Sequence, residues 1–418
     1  MIRILQLTER VTRRVLARRK SSGKAAQRVA AGIVGDVRRR GDRALFGWSR
    51  RLDGLQLDAA TLWIKPEEIR AARREVSTEF LRAVEHAARN IRRVAERQLP
   101  RPWSLRVEPG VRVSQRVEPL EVIGCYVPGG RYSLVSTLLM TAIPARVAGV
   151  GRVTVACPGP STALLAAANV LGETEIARVG GAQAIAAMAY GTESFPRVHK
   201  IFGPGNRYVT AAKHLVSGDC AIDLLAGPSE LLISAARGNA RFIAADLLAQ
   251  AEHDPEALAV FVTTSQRLAR AVRAEVARQL KRLPAGNPAA KVLARSGPIL
   301  LAKSLKDAVQ FANRLAPEHL SLPGSEPEAL REIGAAGSIF VGPWSAQPLG
   351  DYATGSNHVL PTNGVAKVRG GLSTTDFVRC MSVQQVTKAG LRQLGPVAKA
   401  LAEAEGLPAH RRAIEVRE

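Results

Sequence analysis

Along residues 67–99, EEIRAARREVSTEFLRAVEHAARNIRRVAERQL, apolar positions recur every three to four residues with charges between them. That is the period of an amphipathic helix with one buried stripe, and residues 1–120 as a whole read as mainly helical. A break at Leu99, Pro100, Arg101 and Pro102 ends the pattern. Beyond it, short β-branched runs predict buried strands at 121–128, 152–157, 198–203, 230–235, 257–264, 298–302 and 338–342. Ala-rich runs at 163–172, 182–191 and 242–253 predict helices between them. Strands alternating with helices imply parallel sheets covered on both faces. From 376 to 418 the pattern returns to helix. No repeat at a solenoid period and no low-complexity linker interrupts the chain.

A length of 418 residues exceeds what one compact core supports, so two or more domains are expected. Apolar and charged fractions of 46% and 23% are those of an ordinary globular protein. No apolar run reaches about 18 residues, which argues against a membrane span. The basic N-terminus lacks an apolar h-region and a small-residue cleavage site, so it is not read as a signal peptide; an organelle presequence is the lesser reading. Cys125, Cys157, Cys220 and Cys380 lie far apart without a CxxC pair, against a disulfide framework or a cysteine zinc site. A reducing cytoplasm fits.

The net charge of +23 changes the picture most. Residues 1–120 hold 28 Lys and Arg against 13 Asp and Glu, a net +15. Nucleic-acid binding is one reading of such a bias. Against it, aromatics are only 4% of the chain, and the basic residues are spread through amphipathic helices. Attraction of anionic substrates or nucleotide phosphates is the milder consequence.

Candidate chemistry sits in a few segments. In DLLAQAEHD (246–254), Gln250 and His253 are three apart and share a helix face. Carboxamide oxygen and imidazole suit a divalent metal, although taken alone the pair reads more simply as a polar helix end before Pro255. In APEHL (316–320), Glu318 and His319 place an acid beside an imidazole, suited to proton transfer; the alternative is the first turn of a helix. The segment 350–364, GDYATGSNHVLPTNG, is a poor helix former that carries Asp351 and His358. It reads as an active-site loop or as an ordinary turn. His86, in the basic helical region, reads as a surface residue, and His199 and His214 flank a strand and a helix with no acidic partner nearby. No GxGxxG is present; FGPGNRYV (202–209), after a strand and opening a helix, comes closest to a phosphate-binding turn, and VPGGR (127–131) is a second Gly-rich turn.

Taken together, GCYVPGGR, VGGAQAIAAMAYGT (179–192), FGPGNRYV, DLLAGPSELLI (223–233), DLLAQAEHD, APEHL, GDYATGSNHVLPTNGVAK (350–367) and LSTTDF (372–377) resemble, in order, the signatures of the histidinol dehydrogenase family from about residue 25 onward. The resemblance implies NAD-linked, zinc-dependent oxidation of L-histidinol to L-histidine through the aldehyde. It implies zinc ligands at Gln250, His253, Asp351 and His410, and an acid/base pair at Glu318 and His319. Substrate contacts are implied at Ser229, Gln250, His253, His319, Asp351, His358, Glu405 and His410, and NAD contacts at Tyr126, Gln183 and Asn206. The alternative is a paralogue oxidising another small alcohol, such as a sulfonated diol; the spacing of Glu405 and His410 favours histidinol. The fold implied is α/β, with two incomplete Rossmann-like parallel-sheet domains and helical segments at both termini. The expected division is an N-terminal helical segment at 1–24, a larger α/β domain from 25–120 and 232–375, a Rossmann-like NAD-contacting domain at 121–231, and a tail at 376–418. In a homodimer this tail would cross to the partner's site. Two departures from the family pattern, YSLVSTLLM after VPGGR and GGLSTTDF, touch no implied catalytic residue.

Overall fold

The computed structural model describes residues 2–18, 23–129, 134–172, 175–324 and 327–418. Two parallel sheets organise it. The five-stranded sheet runs β6 (Ile176–Ala177), β5 (Arg152–Ala156), β4 (Val122–Tyr126), β7 (Lys200–Phe202), β8 (Ala221–Ile222). The six-stranded sheet runs β1 (Ile4–Gln6), β11 (Ile299–Leu301), β10 (Leu258–Thr263), β9 (Glu230–Ser234), β12 (His319–Leu322), β13 (Ser338–Val341). Every neighbouring pair in both is parallel. This is the expected α/β architecture, and all seven strands foreseen from apolar runs are present.

Period-two alternation explains why those runs are apolar throughout. On β10, Ala259 and Phe261 enter one core while Leu258, Val260 and Val262 enter the core on the other face. On β4, Ile123 and Cys125 face one helical layer and Tyr126 the opposite one. Both faces of each sheet are thus sealed by helices.

Several expectations are corrected. The helical run 67–99 is two helices, Pro66–Ala72 and Thr78–Gln98, because Ser77 caps a new helix by accepting from the Phe80 N–H. The N-terminal segment contributes strand β1 as well as a helix, Glu9–Ala17. Residues 103–119 are not helical: β2 (Trp103–Glu108) and β3 (Val111–Pro119) form an antiparallel sheet with β14 (Val378–Val386). The tail therefore begins as a strand, and only Lys388–Ala404 and Pro408–Glu415 are helical. YSLVSTLLM is largely the helix Val135–Ala148, while Tyr132 and Ser133, with Gly130 and Arg131 of VPGGR, fall outside the described residues. Residues 25–120 were grouped with 232–375, but Ile33, Val37 and Leu45 pack against one face of the five-stranded sheet, and Ile69, Val84 and Ile91 against the other. Apolar stripes dock wherever a sheet face is open, regardless of their place in the sequence.

The long helix Lys24–Asp53 is kinked at Gly41, whose φ of 49° and ψ of −132° leave the helical region. That positive φ favours glycine, and a Cβ there would also displace the Glu193 carboxylate. Among the described residues no helix is long and apolar enough to cross a membrane.

Candidate active site

The functional side chains gather where the carboxyl edge of one sheet meets the amino edge of the other. Glu230 and His319 stand at the first positions of β9 and β12. Ala316, left-handed at φ 43°, caps the preceding helix Leu305–Leu315 and turns the chain sharply. Pro317, Glu318 and His319 then run straight into β12. APEHL thus begins a strand and not a helix, and both Glu318 and His319 are buried.

Backbone hydrogen bonding sets the chemistry of this pair. His319 Nδ1 lies 3.2 Å from the Glu230 carbonyl oxygen. A carbonyl can only accept, so Nδ1 carries the proton and Nε2 holds the free lone pair. Among the described residues buried Nε2 has no hydrogen-bond partner; Asp351 Oδ1 lies 3.7 Å from it. The Glu230 N–H donates to Glu318 Oε2 at 2.8 Å, which sits 3.6 Å from His319 Nδ1. Burial pushes the Glu318 carboxyl up to about 7, against the opposing pull of His319 and the Glu230 N–H. For His319, burial disfavours the cation, but the neighbouring charges of Glu318 and Asp351 outweigh it and raise the imidazole above its ordinary range. A carboxyl brought to about 7 and an imidazole whose neighbours favour its cation are thereby placed side by side.

Asp351 lies in a short helix, Gln347–Tyr352, and not in an irregular loop. Its Oδ2 accepts from Gln347 Nε2 at 2.5 Å, and its backbone carbonyl accepts from His358 Nδ1 at 3.0 Å. Burial pushes His358 below the usual imidazole range, outweighing Asp351, with the charges of His319 and His253 adding to the shift. His253 is thus near enough to His358 for its charge to be felt there. Gln250, buried, is one turn before His253 on the helix Ala240–His253. Ser229 immediately precedes β9.

Glu405 and His410 are different. They sit at the C-cap of Lys388–Ala404 and in the first turn of Pro408–Glu415, exposed, with no bond to the site of their own chain. Among the described residues no three His, Cys, Asp or Glu side chains are close enough to hold a metal. His410, the expected fourth ligand, is exposed on the helix Pro408–Glu415.

Of the expected nucleotide residues, Tyr126 lies on the five-stranded sheet, and Gln183 and Asn206 lie in and at the start of helices that follow its strands. Tyr126 ends β4, is buried, and its oxygen accepts from the Gly181 N–H at 3.1 Å; burial pushes its hydroxyl up to about 12. Gln183, fully buried, donates to Asp53, and its Oε1 has no partner. Asn206 caps the helix Arg207–Val216 by accepting from the Tyr208 and Val209 N–H groups. Asn206 also lines a cleft of about 980 Å³ that reaches Pro228 and Asn363, within the size of cofactor sites, ~300–1,000 Å³.

Glu230, Asn363 and Gln347 were not foreseen. The Asn363 N–H donates to Glu230 Oε1 at 3.2 Å, and Thr362 Oγ1 accepts from the Gly227 N–H at 2.6 Å, joining the cleft to the acid/base pair. Glu230 and Asn363 lay within quoted motifs and Gln347 outside them; the decisive groups of Glu230 and Asn363 are backbone atoms that any residue carries.

Asp246, one turn before Gln250, gives a pH-dependent expectation. Burial alone pushes its carboxyl up from 3.8 to about 6. The folded state then favours the protonated form, and stability is lost as pH rises from about 4 through 6. Asp246→Asn should be more stable than the parent by about 1–3 kcal/mol at pH 8 and equal to it near pH 4. Urea midpoints at the two pH values measure this; an equal gap at both would show that the carboxylate carries no burial cost.

A parallel α/β frame with a buried acid–imidazole pair beside a cofactor-sized cleft defines an enzyme built for proton transfer. Comparison with known proteins narrows the class. The family model for histidinol dehydrogenase matches residues 16–418. Histidinol dehydrogenase of Geobacillus kaustophilus is 47% identical over 96% of both chains, and that of Agrobacterium fabrum 46% identical over 92% of this chain and 90% of its own. The crystal structure of histidinol dehydrogenase from Elizabethkingia anophelis superposes with a TM-score of 0.94 at 36% identity, covering 100% of this chain and 98% of that one. The chain belongs to the histidinol dehydrogenase family and is an oxidoreductase of histidine biosynthesis.

Proposed function

We propose that the protein carries out the NAD-linked, zinc-dependent, four-electron oxidation of L-histidinol to L-histidine in the cytoplasm, as a homodimer whose sites are each completed by the partner's tail. The observation that carries this reading is the unpartnered, buried Nε2 of His319, fixed as a proton acceptor by the Glu230 carbonyl. Gln250, His253 and Asp351 offer the oxygen and nitrogen donors that a borderline divalent ion takes, and His410 of the partner subunit would be the fourth. The cleft at Asn206 has the volume for a dinucleotide; Tyr126 and Gln183 do not line it and would be reached from the other end of a bound cofactor. Bound NAD would supply the hydride acceptor for each two-electron step, and bound zinc a Lewis-acidic anchor for the substrate's imidazole and amine nitrogens.

The chain's own residues then divide the proton work. His319 Nε2 takes the hydroxyl proton of the alcohol as the carbonyl forms. Glu318 takes a proton from the water whose oxygen adds to the aldehyde carbon, while His319 returns the proton it took to the aldehyde oxygen, giving the hydrate. His319 Nε2, again free, accepts a hydroxyl proton of the hydrate as the second carbonyl forms, and the product leaves as carboxylate. Gln347 holds the second oxygen of Asp351, and Asp351 and His358 hold each other, so the site is oriented before substrate arrives. Ser229, His358 and the partner's Glu405 would contact substrate.

Purified protein should form two NADH per L-histidinol consumed, lose activity to a chelator and regain it with zinc. One NADH per histidinol, or full turnover in protein shown metal-free by elemental analysis, would overturn the reading.

A further inference from the structure

We infer that Lys213 and Asp223 are positioning residues that hold the turn Gly203–Asn206 in the shape that binds the nucleotide; this rests on the reading of Asn206 as a nucleotide contact. Lys213 lies in the helix Arg207–Val216 and Asp223 just after β8; their side chains are 3% and 0% exposed and form an ion pair. Both grip the same residue. Lys213 Nζ donates to the Gly203 carbonyl at 3.0 Å, and the Gly203 N–H donates to Asp223 Oδ2 at 2.7 Å. The other carboxylate oxygen takes Lys213 and the Leu224 N–H.

Gly203 needs this grip. Its φ of +105° takes it out of the strand, and a Cβ would overlap the Tyr126 carbonyl oxygen. Its peptide groups then point into the interior, where unpaired N–H and C=O groups are costly. A donor and an acceptor arriving together from a helix and a strand end satisfy both, and each neutralises the other's charge. Two residues further on, Gly205 and Asn206 line the cleft, whereas Lys213 and Asp223 do not. The pair therefore acts on the cleft only through the backbone at 203. The Arg369 guanidinium, donating to the Asp223 carbonyl and paired with Asp376, fixes Asp223 from the far side.

The test is equilibrium binding to the full-length, zinc-loaded enzyme without turnover: NADH by fluorescence and L-histidinol by calorimetry. Lys213→Met with Asp223→Leu replaces the ion pair by apolar groups of similar volume, a change that buried pairs commonly tolerate. It should weaken NADH at least tenfold and leave the histidinol Kd within twofold. NADH within twofold of the parent, or parallel loss of both ligands, overturns the inference. If the double variant does not accumulate, Lys213→Gln is read by the same two constants. Asn206→Asp, which keeps the oxygen capping the helix, separates the two levels. If it weakens NADH while the pair variant does not, the positioning role alone is wrong. If neither weakens NADH, the nucleotide reading of the turn falls and the inference with it.

Discussion

His319→Asn should lower alcohol oxidation by about 10²–10⁴, the range for losing a general acid–base residue. The asparagine Nδ2 can still donate near the Glu230 carbonyl, so the local fold is kept while the Nε2 lone pair is gone. Glu318→Gln should behave differently. Burial holds that carboxyl up at about 7, so near neutrality it is a base for part of the population, and the amide never is. Its loss should fall mainly on oxidation of supplied histidinaldehyde, where water must be activated, and less on the first NADH formed from histidinol. Stopped-flow measurement of the two half-reactions separates the variants. If both process the aldehyde at the parental rate, Glu318 has no part in hydration.

Mixing two inactive proteins should restore about a quarter of parental activity. His319→Ala and His410→Ala each spoil every site of their own homodimer. When the two are unfolded together and refolded, random pairing makes half the dimers mixed. If the tail serves the partner, one site of a mixed dimer collects both defects, and the other combines an intact His319 with an intact His410. The exposed position of His410, away from the site of its own chain, motivates this expectation. Should the tail serve its own chain, every site keeps a defect and the mixture stays as inactive as its parents.

Elements whose stability is local or fully buried were legible in the sequence. The strands at 121–128, 230–235 and 257–264 are apolar because helices cover both sheet faces, and that leaves an unmistakable run. The antiparallel sheet was not legible. Every residue of β2 is exposed, so no core demands apolar side chains there, and β14 is a strand only because Val378–Val386 finds Val111–Pro119. Such pairing across the chain leaves no local signature. In the site, side chains with intrinsic chemistry (Glu318, His319, Gln250, His253, Asp351) could be picked out singly, each with a plain alternative, and the family resemblance joined them. The Glu230 carbonyl that sets the His319 tautomer could not be read, because every residue has one. Asp351 in a helix was missed because Gly350 and the glycine-rich stretch after it argue for a loop, whereas Pro348 in the first turn starts a helix of only six residues.

The pairing of β14 with β3 also has a consequence for biosynthesis. Pro119 pairs with Val378, so a ribosome that has delivered β2 and β3 must add roughly 260 more residues before the third strand emerges. At about 5–20 residues per second this takes roughly 13–50 s. Throughout that interval β3 presents an unpaired edge to other nascent chains, the kind of surface on which strands add wrongly. Both parallel sheets have all their strands by Val341 and can close first. The arm that bears Glu405 and His410 follows β14 in the chain, so it too emerges only after both parallel sheets have all their strands.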